Sequence, residues 1–295
     1  RGRRYRFFIQ LKDPALKDVA RLVYPFLFSI LMTQGAGIVY RILVSTLEEG
    51  SLSALKYAEK ITQLITIVFL NSVTLVIYPL LSEKASLKDG DGMRETIGSS
   101  IRLVFFATLP LILAIALLRK DIVSFLYQRG SFSEQDALFT SVALLYLVLG
   151  LTTTGISSIF GHAVLALQKT KAAVGITIAS QVVAIALFIL LVPYMGFAGL
   201  ALASSLVPLS SALLYFLYLT RFVPSLGSVF VHTTYGKVIV LSTLSSLSIY
   251  GIMQLHLPSI LQLIVSLSLG VLLYLGLSHV WHIEEMNQIT DIFRK

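Results

Sequence analysis

Eight apolar runs, each long enough to cross a bilayer, constrain this chain more than any other feature of its sequence. A hydrocarbon core about 30 Å thick takes roughly 20 helical residues to span. The runs fall at 20–46, 57–82, 97–118, 137–165, 172–193, 197–220, 237–256 and 259–281. They predict an all-α, polytopic membrane protein with eight transmembrane helices. Composition agrees: 13% of the residues are charged, against about 25% in a soluble globular domain. The net charge of +8 belongs to the ends of the runs, so it points to membrane lipids and not to nucleic acid. Cysteine is absent, which removes disulfides, thiolate metal sites and thiol nucleophiles.

The chain opens without Met, on Arg1-Gly2-Arg3-Arg4-Tyr5-Arg6, and an amphipathic stretch from Phe7 to Arg21 follows. The first apolar run is a full span and not the short core of a signal peptide. Residue 1 is therefore expected to be an internal point of a longer protein. Pro193 to Gly196 and His256 to Ser259 are expected to be tight turns between neighbouring helices.

Basic residues set the orientation, because cytoplasmic loops are enriched in Lys and Arg. With the N-terminus inside, loops 83–96, 166–171 and 221–236 and the C-terminal tail also face the cytoplasm. Seventeen of the 23 Lys and Arg residues then lie on that side or at its helix ends. Lys56, Arg119, Lys120 and Arg129 lie opposite, while Arg41 and Lys60 fall near the outer ends of the first two spans. Both termini are expected to be cytoplasmic.

Of the fifteen Asp and Glu residues, only Glu59 falls inside an expected span. Intramembrane catalysis would want paired carboxylates, a His cluster or a nucleophile with a base. The five His residues are scattered, so no metal and no cofactor is expected, and His162 reads as a packing residue. Asp89-Gly90-Asp91-Gly92 begins like a calcium loop but has Ser100 where the bidentate Glu belongs, and reads as a flexible charged loop. Ser131 or Ser133, three residues before Glu134 or Asp136, reads as a helix start.

The second span departs from the apolar rule. Lys60, Gln63, Asn71, Thr74 and Tyr78 recur at helical spacing as one polar stripe. Such a stripe lines a cavity, or it bonds a neighbouring helix while Lys60 snorkels to the surface. Arg41 lies at similar depth, and two cations at one end of a cavity suit an anionic headgroup such as a pyrophosphate. Snorkelling is the alternative for Arg41 too. Pro25, Gly35-Ala36-Gly37, Pro110, Thr152-Thr153-Thr154-Gly155 and Pro208 are expected to interrupt or kink their helices.

Three stretches carry a family resemblance. Glu49-Gly50-Ser51-Leu52-Ser53-Ala54-Leu55-Lys56-Tyr57-Ala58-Glu59-Lys60, continuing to Tyr78-Pro79-Leu80-Leu81-Ser82, resembles the second helix of the C-terminal lobe of the MurJ (MviN) lipid II flippases. Leu126-Tyr127-Gln128-Arg129-Gly130-Ser131-Phe132-Ser133 is similar to an outer-loop motif of that family. Pro193-Tyr194-Met195-Gly196-Phe197-Ala198-Gly199-Leu200 is similar to a turn found across the multidrug/oligosaccharide-lipid/polysaccharide exporter superfamily. The resemblance covers roughly residues 20 to 221.

It implies helices seven to fourteen of a fourteen-helix exporter with two lobes around a cavity. On that basis residues 1–19 lead in from an N-terminal lobe outside this sequence. Residues 20–221 form the six-helix C-terminal lobe, 222–281 two further helices with a lipid-facing groove, and 282–295 a cytoplasmic tail. The implied function is flipping lipid II, or a similar polyprenyl-linked saccharide, across the bacterial inner membrane by alternating access. The implied cavity residues are Arg41, Glu59, Lys60, Gln63, Asn71 and Thr74. Lys60 stands where members commonly have Arg, and Tyr40 where they often have Asp. No counterpart of the cation-binding residues of some members lies between Gln181 and Pro193. A drug antiporter of the same superfamily, a membrane enzyme acting on polyprenyl lipids and a scaffold subunit are the competing readings.

Overall fold

The computed structural model describes residues 14–130, 132–255 and 258–286. Among them are eight helices long and apolar enough to cross a membrane. They are α1 Pro14–Ser45, α2 Ser51–Ser86, α3 Gly90–Tyr127, α4 Glu134–Ala166, α5 Thr170–Met195, α6 Phe197–Leu219, α7 Thr233–Met253 and α8 Ser259–Val280. The apolar runs therefore map one to one onto helices. The expected His256–Ser259 turn begins outside the described residues, as do 1–13, Ser131 and most of the tail.

The largest departure is at the expected loop 83–96, where only residues 87–89 are non-helical. The Asp89 carboxylate accepts the Gly92 amide at 2.8 Å and caps α3, and this bond holds its pKa below the usual carboxylate range. A carboxylate at this position satisfies an otherwise unbonded amide of the first turn. The stretch that reads as a flexible loop is thus a helix start. At α4, Ser133 and Asp136 form a full capping box, as the spacing predicts.

Helix α3 runs along the middle, packed against α2, α4, α7 and α8, while α4 packs against α2, α3 and α6. Helix α1 leans chiefly on α5 and barely touches α2. Helices α7 and α8 pair with each other and dock on α3. Two buried clusters fill the six-helix body, one around Leu55, Val123, Leu144 and Leu200, the other around Leu81, Ile97, Phe160 and Leu219. Small residues permit these approaches. A Cβ at Gly150 of α4 would lie 2.8 Å from the Ser205 Cα of α6. The outer surface is apolar, with Leu75, Val76, Leu190 and Leu272 all exposed, as a lipid-facing surface must be.

At three of the expected sites the helix is not broken. α1 continues through Gly35-Ala36-Gly37, α3 through Pro110 and α6 through Pro208. The irregularity in α4 lies at Gly150 and not at Thr152–Gly155. One irregularity has no forewarning in the sequence: residues Thr66–Leu70 of α2 form a π turn.

Candidate functional site

The π turn interrupts the polar stripe of α2 between Gln63 and Asn71. It accommodates one residue more than an α turn, so side chains beyond it are rotated by about 100° from their α-helical places. Lys60 and Gln63 before it and Asn71 just after it are exposed. Further along, Thr74 meets Ser158 Oγ of α4 at 3.2 Å, and the Tyr78 ring sets its edge against His162 at 5.5 Å. His162 Nδ1 lies 2.7 Å from the Ser158 carbonyl, a hydrogen bond. Lys60, Gln63 and Asn71 are exposed, while Thr74 and Tyr78 touch α4, Tyr78 from a side chain that is itself exposed. An interhelical bond such as Thr74–Ser158 contributes about 1 kcal/mol.

The splay between α1 and α2 leaves an open cleft of about 300 Å³ bounded by α1, α2, α5 and α6. Arg41 and Glu59 line it, together with Thr33, Tyr40, Lys56, Gln181 and Ser204. Glu59 is engaged on both oxygens. Tyr40 Oη donates to one at 2.9 Å, and Lys56 Nζ donates to the other at 2.5 Å. The Tyr40 ring is wedged between Phe188, at 5.5 Å, and the Lys56 ammonium, at 5.6 Å. Arg41 is exposed, and among the described residues it makes no ion pair.

Lys60 does not line this cleft. Its ammonium lies 5.6 Å from the centre of the Tyr57 ring, on the exposed face of α2. The structure thus places Arg41 and Glu59 in one cleft, with Lys60 the next residue along α2 from Glu59 but outside the lining, as are Gln63 and Asn71. Thr33, Tyr40, Lys56, Gln181 and Ser204 line the cleft without standing out in the sequence as cavity residues. For Lys56 a signal exists, since its spacing to Glu59 is that of a helical ion pair. For Tyr40 nothing nearby signals its bond to Glu59, 19 residues away.

Further along α2 lies an apolar groove of about 450 Å³ between α2, α3, α7 and α8. Phe69 of the π turn, Leu103, Pro110, Leu267 and Tyr274 are among its walls. Two of its polar groups are already bonded: Ser245 Oγ donates to the Gly270 carbonyl and Tyr274 Oη to the Phe106 carbonyl, each at 2.8 Å. What remains is suited to a hydrocarbon chain. Among the described residues no group of His, Asp and Glu is arranged to hold a metal. α2 thus carries an exposed cation, Lys60, and borders an apolar groove.

Comparison with known proteins adds the context. A family model described as lipid II flippase MurJ matches residues 1–270. Curated relatives named probable lipid II flippase MurJ include one from Vibrio cholerae, 30% identical over 279 residues, covering 90% of this chain and 53% of the relative. One from Bdellovibrio bacteriovorus is 25% identical over 290 residues, covering 95% of this chain and 54% of its own. The chain spans about half the length of the curated relatives it matches. A solved lipid II flippase MurJ in an inward closed conformation superposes with a TM-score of 0.78 at 23% identity, over 94% of this chain and 57% of that one. That likeness is one of fold.

Proposed function

Because the chain belongs to the lipid II flippase MurJ family, we propose that it forms one wall of a transporter moving lipid II from the inner to the outer leaflet of a bacterial cytoplasmic membrane. The observation that carries this reading is the pairing of unlike surfaces on α2. Lys60, Gln63 and Asn71 are exposed polar residues on a helix whose middle turns, Val68 to Leu70 with Ser72 and Val73, border the apolar groove. A polyprenyl pyrophosphate presents the matching chemistry. Its pyrophosphate takes charge-assisted hydrogen bonds from Lys60 and Arg41, and its tail lies in the groove. Glu59, held by Tyr40 and Lys56, sets the cleft's net charge, and Thr74 fastens α2 to α4.

In this reading residues 20–221, which hold α2 to α6 and all of α1 but its first residues, form a C-terminal lobe. α7 and α8 are the two additional helices. An N-terminal lobe of the same protein supplies the opposing wall, and rocking of the two lobes alternates access. Reconstituted in vesicles, the intact protein is expected to expose labelled lipid II to an external reagent much faster than protein-free vesicles do. Equal rates would overturn the reading, and movement of a different polyprenyl-linked saccharide in place of lipid II would correct its substrate.

The proposed orientation puts both termini and residue 90 in the cytoplasm and the segment 119–136 outside. The chain lacks native cysteine, so single introduced cysteines report without background. A thiol reagent that cannot cross the membrane is expected to label residue 130 from outside and to leave residue 90 untouched. Labelling of residue 90 from outside would reverse the topology.

A further inference from the structure

Apolar contact alone does not hold α8 in place. Lipid tails are as apolar as leucine, so a helix at bilayer depth gains little by trading lipid for protein, and close packing and polar bonds decide where it rests. α8 packs on α7 and α3. Ser245 Oγ of α7 donates to the Gly270 carbonyl at 2.8 Å, and Tyr274 Oη donates to the Phe106 carbonyl of α3 at 2.8 Å.

The strongest tie comes after the helix has ended. The chain turns at His282, whose φ is 49°, and brings Glu285 into the protein, where it is 1% exposed. Arg102 Nε of α3 donates to Glu285 Oε1 at 2.7 Å, and Arg102 Nη2 lies 3.7 Å from Glu284 Oε2. The second oxygen of Glu285 has no hydrogen-bond partner. A buried carboxylate in that state depends on its one cation, because losing the partner leaves an uncompensated charge. Surface ion pairs contribute little; this one is a fixed joint between α3 and the end of α8.

Its position matters to the groove. The α3 wall starts at Leu103, next to Arg102, and the α8 wall runs to Leu275, one residue past Tyr274. The ion pair and the Tyr274–Phe106 bond together set the spacing of α3 and α8, which is the width of the groove. We infer that Arg102 and Glu285 are positioning residues for the hydrocarbon tail of the transported lipid. They touch neither head nor tail, and they hold α8 where the groove exists. Without them α8 keeps its pairing with α7 but can swing away from α3.

The inference rests on the reading of the groove as the tail site, and the test separates the two. Binding of undecaprenyl diphosphate and of farnesyl diphosphate to the intact protein in nanodiscs is compared. The two share a head and differ in tail, so their affinity ratio reports the groove. The wild-type protein is expected to prefer the long chain. Glu285→Gln, which keeps the size and loses the charge, is expected to cut that preference about tenfold, a difference easily read as a ratio of Kd values, with farnesyl diphosphate affinity unchanged. An unchanged ratio in Glu285→Gln would overturn the positioning role, while no preference in the wild type would overturn the groove reading itself. If Glu285→Gln does not accumulate in the membrane, Arg102→Lys decides. It keeps the charge without the planar fork, an intermediate preference supports the joint, and a wild-type ratio overturns it.

Discussion

Replacing Lys60 with alanine in the intact protein is expected to abolish growth of a strain depleted of its own lipid II flippase, while Lys60→Arg sustains it. Lys60 is exposed on α2 and touches the face of Tyr57 with its ammonium, with no carboxylate paired to it among the described residues. Its charge is therefore available to an incoming anion. A hydrogen bond to a charged group contributes about 1.5–3 kcal/mol, so its loss weakens a pyrophosphate contact roughly 10- to 100-fold. Arginine preserves the charge and adds a bidentate fork, so it should serve at least as well. Growth with Lys60→Ala at equal expression would mean that Lys60 only snorkels.

The second large effect concerns residues 1–295 by themselves, which are expected to insert in the membrane and not to flip lipid. Each helix carries its own apolar run and flanking charges, so insertion needs no other lobe. Transport by rocking needs two bodies around a shared site. The cleft between α1, α2, α5 and α6 is open, and Gln63 and Asn71 lie exposed, so among the described residues these polar groups meet no second wall. The measurement is the lipid II flipping assay, run on this stretch and on a two-lobed protein containing it. Comparable rates would show the stretch to be a transporter in its own right.

The helices were legible because a span is written locally: an apolar run of sufficient length needs no partner to be recognised. The site was legible only in part. Lys60, Gln63, Asn71 and Thr74 stand out as polar residues in an apolar run, but their common direction presumed a regular α-helix. The π turn at Thr66-Ile67-Val68-Phe69-Leu70 contains neither Gly nor Pro, so nothing announced that Thr74 would meet Ser158. Proline is the converse case. Pro110 and Pro208 sit inside continuous helices, because neighbouring helices and local adjustments can satisfy the backbone groups that proline frees in a membrane span. Long-range pairs were beyond reach. Arg102 and Glu285 are 183 residues apart, and each alone reads as an ordinary charge near a membrane surface.

The π turn also changes what a small genetic event can do to this protein. Because it holds one residue more than an α turn, deleting a single codon within 66–70 would let α2 relax into a regular α-helix and still leave Asn71, Thr74 and Tyr78 facing their present neighbours. Elsewhere in a packed span such a deletion turns every downstream side chain by about 100° and scrambles its contacts. A length change of one residue at this point is therefore one that descendants of this sequence could absorb while Thr74 stays on Ser158.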